Sequence, residues 1–406
     1  MTDTSVLTIV QFAGDFAQTY RALQRGEAET YYAQRHSIDG IAALAAPEHQ
    51  VVTVCCTAER DYDEVLGPGL RAIGLRQPPD RIDTSKVWQA VRACAPTHLV
   101  LRTPMRQLLA NAQRQRLRTL VTIADSFSAS GWRDSLRNFL LVRRLNSDTV
   151  EGVANHGRTS ALQLLDLGVD RRKVTAWDWP HRLRPHDHPV KRPATGRAWR
   201  LLFVGMLIES KGLGDLIRAL PALLGEGRSV ELKIVGSGDQ PLFERLCAEL
   251  GLSAQVQFLG RRAHAEVIDL MRECDVAVVP SRHEYPEGFP MTIYEALATR
   301  SPIVCSDHPM LVRSLVDAQS ALVFAAGNPH ALTHKLRTLL DNAALYARLS
   351  EQALDTWQSL QLPVEWVDLV HQWYLGPPGA FEALIAAGRE DLDAQQRILP
   401  SSARRS

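Results

Sequence analysis

Two carboxylates and a proline share the stretch Ser281-Arg282-His283-Glu284-Tyr285-Pro286-Glu287-Gly288-Phe289-Pro290-Met291-Thr292-Ile293-Tyr294-Glu295. The stretch lies between an apolar strand pattern and a helical one. Pro290 suits the first helical position, where its fixed φ matches the helix and its missing N–H is one the helix leaves unpaired. The amides that follow then face outward at the positive end of the helix, an arrangement that takes phosphate. Glu287 and Glu295 would flank that point roughly 8 to 10 Å apart, counting 1.5 Å of rise per helical residue. Carboxylates suit the hydroxyls of sugar and ribose, not phosphate. The competing reading makes Glu287 a helix cap and Glu295 a solvated face residue. Against it, Ile293, Leu297 and Ala298 point to the sheet and leave Glu295 in a crowded stretch.

A second constellation is Leu201-Leu202-Phe203-Val204-Gly205-Met206-Leu207-Ile208-Glu209-Ser210-Lys211-Gly212, a strand running into a loop ahead of a helix. Gly205 permits close backbone approach, and Lys211 carries a flexible point charge toward an anion. A surface lysine on a loop is the plainer reading, weakened because the chain has only six lysines among its 46 basic residues. A third run, Ile234-Val235-Gly236-Ser237-Gly238-Asp239-Gln240-Pro241, has the look of a dinucleotide fingerprint. Pro241 replaces its third glycine, so a nicotinamide-dependent dehydrogenase is disfavoured.

These loops need strands to hold them. Short β-branched runs alternate with helical patterns, the signature of parallel-sheet βαβ units. The first half reads as strands at Val6–Phe12, Val51–Cys56, Leu99–Arg102, Leu120–Ile123, Val150–Ala154 and Thr175–Pro180. A proline-rich linker is expected at 185–197. The second half restarts at Trp199–Val204 and builds a doubly wound sheet of about six strands. From Pro329 the chain reads as helical, with an interruption at Pro363, and from Ala387 to Ser406 it turns polar and is expected to be disordered. Two such sheets would place the carboxyl ends of their strands across a cleft.

A length of 406 residues exceeds one compact core, so two domains are expected. The formal charge of +1 supplies no field for nucleic acid, and nucleic-acid binding is not expected. No apolar run reaches the roughly 18 to 20 residues of a membrane span, and the start of the chain lacks a leader pattern. A cytoplasmic protein is expected. Its six cysteines, none at metal-knuckle spacing, read as reduced buried thiols. No Asp-x-Asp element is found to hold a divalent metal between phosphates, so neither a metal nor a cofactor is expected.

From Leu201 to about Trp366 the chain resembles the donor-binding domain of retaining glycosyltransferases of family 4. The resemblance rests on Val204-Gly205 with Lys211-Gly212, Val235-Gly236-Ser237-Gly238-Asp239, Phe258-Leu259-Gly260, Val279-Pro280-Ser281, and the pair Glu287 and Glu295. It implies an α/β GT-B fold of two facing Rossmann-like domains. Residues 1–190 would form an acceptor-binding domain, 191–365 the donor-binding domain, and 366–406 a C-terminal helix and tail. It further implies that Glu287 contacts the donor sugar, Glu295 the ribose, and that Lys211 stabilises the departing diphosphate. Gly205, Gly236 and the turn Gly288, Phe289, Pro290 and Met291 would border the phosphates, and Leu259, Gly260 and Arg261 the base. One departure stands out: the family commonly carries arginine where this chain has Met206, so Arg261, Arg262 or Arg282 would have to supply the missing cation.

In the first half the resemblance is architectural only. Ala13-Gly14-Asp15 stands for the usual glycine-rich loop. Ala124-Asp125 stands where the family often places His-Asp, which makes Asp125 a candidate acceptor-side or catalytic group beside Lys211 and Glu287; a helix-capping role for Asp125, followed by Ser126, is the alternative. Asn155-His156-Gly157 can point into the cleft or serve structure. Trp177-Asp178-Trp179-Pro180 reads as a hydrophobic hinge plug, with aromatic stacking on a sugar as the alternative. The run Trp132-Arg133 to Val142-Arg143-Arg144 either grazes a membrane or packs as a core-facing helix with a solvated edge.

The resemblance implies retaining transfer of a sugar from a nucleotide diphosphate sugar to an unidentified glycan or lipid-linked acceptor, of the cell envelope or of a polysaccharide. Peripheral contact with the inner face of a membrane would fit such an acceptor. A nucleotide-sugar epimerase and a non-catalytic nucleotide-sugar-binding protein of the same fold remain as alternatives.

Overall fold

The computed structural model describes residues 5–12, 14–127 and 131–398. The chain divides into two compact units. Unit 1 holds the chain up to Glu29, Ala33–Pro180 and everything from Leu362 onward; unit 2 holds Thr30–Tyr32 and His181–Gln361.

Unit 1 contains an eight-stranded sheet: β1 (Ser5–Gln11), β2 (His49–Cys55), β3 (Tyr62–Gly67), β4 (Leu70–Gly74), β5 (His98–Leu101), β6 (Arg118–Ile123), β7 (Val150–His156) and β8 (Val174–Trp177). The order is β3-β4-β2-β1-β5-β6-β7-β8, parallel except for the edge strand β3, which runs antiparallel to β4. The central strands are buried on both faces and accordingly read as continuous apolar runs. The β3–β4 hairpin is absent from the expected elements. As an edge strand β3 stays half open, and Asp63, Glu64 and Gly67 dilute its strand signal.

Unit 2 contains six parallel strands, β9 (Trp199–Val204), β10 (Val230–Val235), β11 (Val256–Gly260), β12 (Val276–Val279), β13 (Ile303–Ser306) and β14 (Leu322–Phe324), in the order β11-β10-β9-β12-β13-β14. Counted within the unit this is 3-2-1-4-5-6, the doubly wound Rossmann order. The chain reverses direction across the sheet between β9 and β12, and ligands of doubly wound sheets bind at the strand ends beside such a reversal.

The division falls at Pro180, ahead of the proline-rich stretch expected as the linker. That stretch is anchored on unit 2. Lys191, half-buried within it, donates to the carbonyls of Met271 (2.8 Å) and Cys274 and to Ser301 Oγ (2.7 Å), closing the C-terminus of the helix His264–Glu273. Burial pushes the Lys191 pKa down.

The C-terminal segment corrects a second expectation. The chain beyond Ala387 is helical through Ile398, as part of the helix Ala380–Ile398. Phe381, Ile385 and Leu392 recur on one face and are buried in the unit 1 cores. Each such burial contributes about 1.5–3 kcal/mol, enough to order a helix whose other face is polar. Ahead of it, Trp366 is fully buried and donates through Nε1 to Thr122 Oγ1 of β6 (2.9 Å). The segment therefore completes unit 1 and does not stand apart. Residues 399–406, like Ala13 of the first loop, lie outside the described residues.

Candidate functional site at the strand ends of unit 2

The loops after β9 and β12 meet at the point where the sheet order reverses. Lys211 ends the first loop and Glu287 lies in the second. Lys211 Nζ donates to both carboxylate oxygens of Glu287, at 2.6 and 2.9 Å, and the two side chains are 14% and 7% exposed. Ser281 Oγ donates to the same Glu287 Oε1 at 2.8 Å. The ammonium also lies 4.2 Å from the centre of the Tyr285 ring. Burial, and then the Glu287 charge, raise the Tyr285 phenol above its ordinary value.

Backbone geometry dictates this approach. Gly212 has φ of +74°, and a Cβ there would lie 1.9 Å from the Pro280 carbonyl oxygen. Only glycine lets the Lys211 loop reach the end of β12. Gly236, after β10, packs equally close, since a Cβ would stand 1.8 Å from the Gly205 carbonyl oxygen. Further ties lock the two loops together. Arg282 N–H donates to Ser210 O (2.8 Å), and its guanidinium forms a two-pronged bond with buried Asp215 (2.7 Å on each arm) and a third with Glu209 (2.9 Å). Those carboxylates raise the Arg282 pKa further.

The helix Met291–Ala298 starts one residue later than expected. Pro290 occupies the N-cap with φ −67° and ψ 129°, and no side chain caps the helix. The ψ value is the reason: Pro290 still has extended backbone on its C-terminal side and cannot count as helical. Its first amides are left without a side-chain cap, and an uncapped helix start of this kind is one that can take an anion. Gly288 and Met291 are half-buried, while Phe289 is buried edge-on against Tyr294 with ring centres 5.3 Å apart. Glu287 does not cap this helix. Glu295 is no solvated face residue either, being 7% exposed with Oε1 3.0 Å from His264 Nε2.

Two strands away, Gly260 closes β11 and its carbonyl accepts from Gly236 N–H (3.0 Å); Leu259 beside it is half-buried. Arg261 Nε donates to Ser237 Oγ at 3.1 Å. Of the three arginines expected to offset Met206, Arg282 is committed to Asp215 and Glu209, and Arg262 pairs with Glu266 at 3.4 Å. Arg261 is held by a neutral hydroxyl. Met206 itself is exposed, with its sulfur 3.8 Å from the Tyr285 hydroxyl that donates to it.

The structure thus gathers Gly205, Lys211, Glu287, the turn 288–291 and Glu295 at the strand ends of one unit. Asp125 belongs to the other. It follows β6, half-buried, and burial raises its carboxyl pKa. No helix begins at Asp125, so it is not a cap; the next helix starts at Trp132 with Gly131 as N-cap. Asn155 clamps its backbone, accepting from Asp125 N–H (3.3 Å) and donating to Asp125 O (2.9 Å). Asp125 lines a cavity of about 440 Å³ together with Arg106, Phe127, Arg137 and Leu141. His156 does not face an open site: it is 6% exposed, with Nε2 2.9 Å from Asp178 Oδ1. Trp177 is buried as the expected plug, its Nε1 donating to Ile123 O (3.1 Å).

Tyr285 and His264 were given no role from sequence, and Ser281 entered only as a member of the Val279-Pro280-Ser281 element. Ser281 and Tyr285 lie inside the Glu287 stretch, where six- and two-residue offsets carry no periodic signal. His264 meets Glu295 across 31 residues. Among the described residues, no group of three or more His, Cys, Asp or Glu side chains is arranged to hold a metal.

This half of the chain matches a known domain model. Residues 187–356 match the family of glycosyl transferases group 1. Over 205 residues, 48% of this chain and 47% of the relative, the sequence is 32% identical to a glycogen synthase of Mycobacterium tuberculosis. Over 160 residues, 38% of each, it is 29% identical to a D-inositol 3-phosphate glycosyltransferase of Corynebacterium glutamicum. The chain thus spans about half or less of the length of these curated relatives. Among solved structures, a sucrose-phosphate synthase from Thermosynechococcus elongatus superposes with a TM-score of 0.63 at 19% identity, covering 91% of this chain and 98% of that one. The Anabaena Alr3699/HepE protein in complex with UDP gives 0.60 at 15%, covering 88% and 95%. These likenesses are of fold, and they make the architecture GT-B: a group 1 domain joined to a second Rossmann-like unit.

Proposed function

We propose that this protein is a retaining glycosyltransferase that moves a sugar from a nucleoside diphosphate sugar to a hydroxyl of a glycan or lipid-linked acceptor of the cell envelope or of a polysaccharide. The observation that carries this reading is the meeting of Lys211 and Glu287 from two loops at the β9–β12 reversal, beside an uncapped helix start. An ammonium and helix amides suit a diphosphate, and two buried carboxylates suit the hydroxylated rings on either side. The family match of residues 187–356 and the solved UDP complex of a protein sharing the fold support the same donor class.

In the proposed reaction the bond between the anomeric carbon and the diphosphate oxygen breaks, leaving positive charge on the sugar and negative charge on the diphosphate. Lys211 and the amides at Met291 and Thr292 oppose the latter. Glu287 holds sugar hydroxyls, and Glu295, steadied by His264, holds the ribose. The acceptor oxygen bonds to the anomeric carbon on the face the diphosphate leaves, and its proton passes to a departing phosphate oxygen. Asp125 serves the acceptor side. No divalent metal takes part, and the reaction belongs to the cytoplasm, in keeping with six cysteines that are all buried free thiols.

The test is a thermal-shift screen of UDP, GDP and ADP sugars, since a ligand that binds only the folded state raises the melting point. One donor class should shift the transition, and Lys211→Ala should abolish that shift. No shift with any donor would overturn the reading. Release of nucleoside diphosphate that depends on an added acceptor distinguishes transfer from epimerisation and from mere binding.

A further inference from the structure

The helix Trp132–Leu145 of unit 1 has two apolar faces. Asn138, Leu141, Val142 and Leu145 are buried. On the opposite side Trp132, Leu136 and Phe139 are 72%, 50% and 58% exposed. Their spacing of four and then three residues makes one stripe. A helix that only covers a core keeps that side polar, and three large apolar side chains in one exposed stripe mark an interaction surface.

Charge identifies the partner. The whole chain is nearly neutral at +1, yet the segment 102–146 holds nine arginines and two aspartates. Arg133 and Arg143 border or interrupt the stripe and are exposed, and the Arg133 guanidinium lies 5.4 Å from the centre of the Trp132 ring. The neighbouring helix Arg106–Arg114, tied to this one by Arg144 donating to Gln113 Oε1 (2.6 Å), adds exposed Arg106 and Arg114.

We propose that this face docks on an anionic lipid bilayer, with Trp132, Leu136 and Phe139 entering the headgroup region and the arginines pairing with lipid phosphates. Aromatic and leucine side chains on one face of a helix, with basic residues around them, bind such interfaces by apolar burial and attraction to anionic lipid together. An ordinary protein partner would not require the arginine excess. The same helix lines the Asp125 cavity through Arg137, Asn138 and Leu141, so docking would hold that cavity about one helix diameter from the lipid surface. The docking itself does not depend on the proposed sugar transfer.

The experiment is co-sedimentation of the full chain with phosphatidylcholine vesicles that contain or lack about 30% phosphatidylglycerol. Binding should be about tenfold stronger with the anionic lipid and should weaken as salt is raised. Trp132→Ser with Phe139→Ser should reduce it about tenfold or more while the melting temperature stays unchanged, because both side chains are exposed. Arg133→Glu with Arg143→Glu keeps the apolar stripe and should remove the preference for anionic vesicles. Equal binding by wild type and both variants, or no vesicle binding by wild type, would overturn the proposal. So would self-association without vesicles that the serine variant abolishes, since the face would then join two copies of this chain.

Discussion

Each sheet ends in a basic side chain set on a buried carboxylate, and the two pairs are built differently. In unit 2, Lys211 and Glu287 come from loops 76 residues apart that converge where the strand order reverses. In unit 1, His156 and Asp178 lie at the ends of the adjacent strands β7 and β8, away from the reversal between β1 and β5. The first pair lies at that reversal, four residues ahead of a helix start that no side chain caps. The second is enclosed by its neighbours, with Trp177 4.9 Å from the imidazole and Trp179 N–H donating to Asp178 at 2.7 Å. A buried pair is therefore a weak sign of chemistry by itself, and its place in the sheet topology decides what it can do.

The strongest way to break this comparison is Lys211→Ala. Removing a charged group that acts on the leaving diphosphate should lower turnover by about 10²–10³-fold. It also leaves Glu287 buried without its cation, so the melting temperature should fall. Adding Glu287→Gln to the same chain should restore part of the melting temperature and none of the turnover. If turnover measured with the donor found by thermal shift survives Lys211→Ala, the two pairs are both structural and the distinction between them disappears.

His156→Ala is the converse. It removes the imidazole from the Asp178 carboxylate inside a packed core, at a cost of about 1–3 kcal/mol in stability. Turnover per folded molecule should stay near that of the wild type. A loss of turnover as large as that of Lys211→Ala, at unchanged stability, would move His156 from the core into the site.

How much of this was legible follows the same line. The doubly wound sheet of about six strands in unit 2 could be expected because β-branched runs alternate with helices, and the Glu287 and Lys211 loops carry their own glycine and proline punctuation. The His264–Glu295 and Arg282–Asp215 pairs were not legible, since each joins residues far apart in sequence whose meeting depends on the completed sheet. Unit 1 was read less well. Its β3–β4 hairpin is an edge element with a diluted pattern. The packing of the segment from Leu362 onward onto unit 1 depends on a face completed by β6 and by Trp366, which no local periodicity announces. The Trp132–Leu145 helix was read with two alternatives; its buried face fits the core-facing one, and the exposed stripe on the other side is the feature on which the proposed lipid contact rests.

Asp125 tests the comparison more finely, because it is an acidic group of unit 1 that lines a cavity. Burial raises its carboxyl pKa, so the folded state holds a proton more readily than the unfolded chain. Its contribution to stability is present below the ordinary value of 3.8 and is lost as pH rises through the folded value. At neutral pH the carboxylate is a liability, and Asp125→Asn should raise the melting temperature by about a degree or two. The same variant should reduce transfer to acceptor without changing the donor-induced thermal shift. An unchanged or lower melting temperature would mean that the carboxylate is stabilised where it lies and that unit 1 stores no such cost.

The smallest expected effect concerns two histidines, one in each unit, whose surroundings require a neutral ring. His98 Nε2 accepts from Arg118 (2.9 Å), and burial followed by the Arg118 charge pushes its pKa down to about 4. His308 Nδ1 accepts from Met310 N–H (3.2 Å) while Nε2 faces Tyr285 O (3.1 Å), and burial lowers its pKa as well. Each folded value lies below the ordinary 6.5, so unfolding takes up protons as pH falls. The stability these rings contribute is complete above about pH 6.5 and declines from there toward about pH 4. Melting curves at pH 7 and pH 5 should show the decline, and His98→Gln with His308→Asn should flatten it. His308 touches the backbone of Tyr285, whose ring lies against the Lys211 ammonium, so protonating His308 should also weaken the donor-induced shift, whereas protonating His98 should leave that shift alone. A slope that the double substitution does not change would show that neither ring carries the pH dependence.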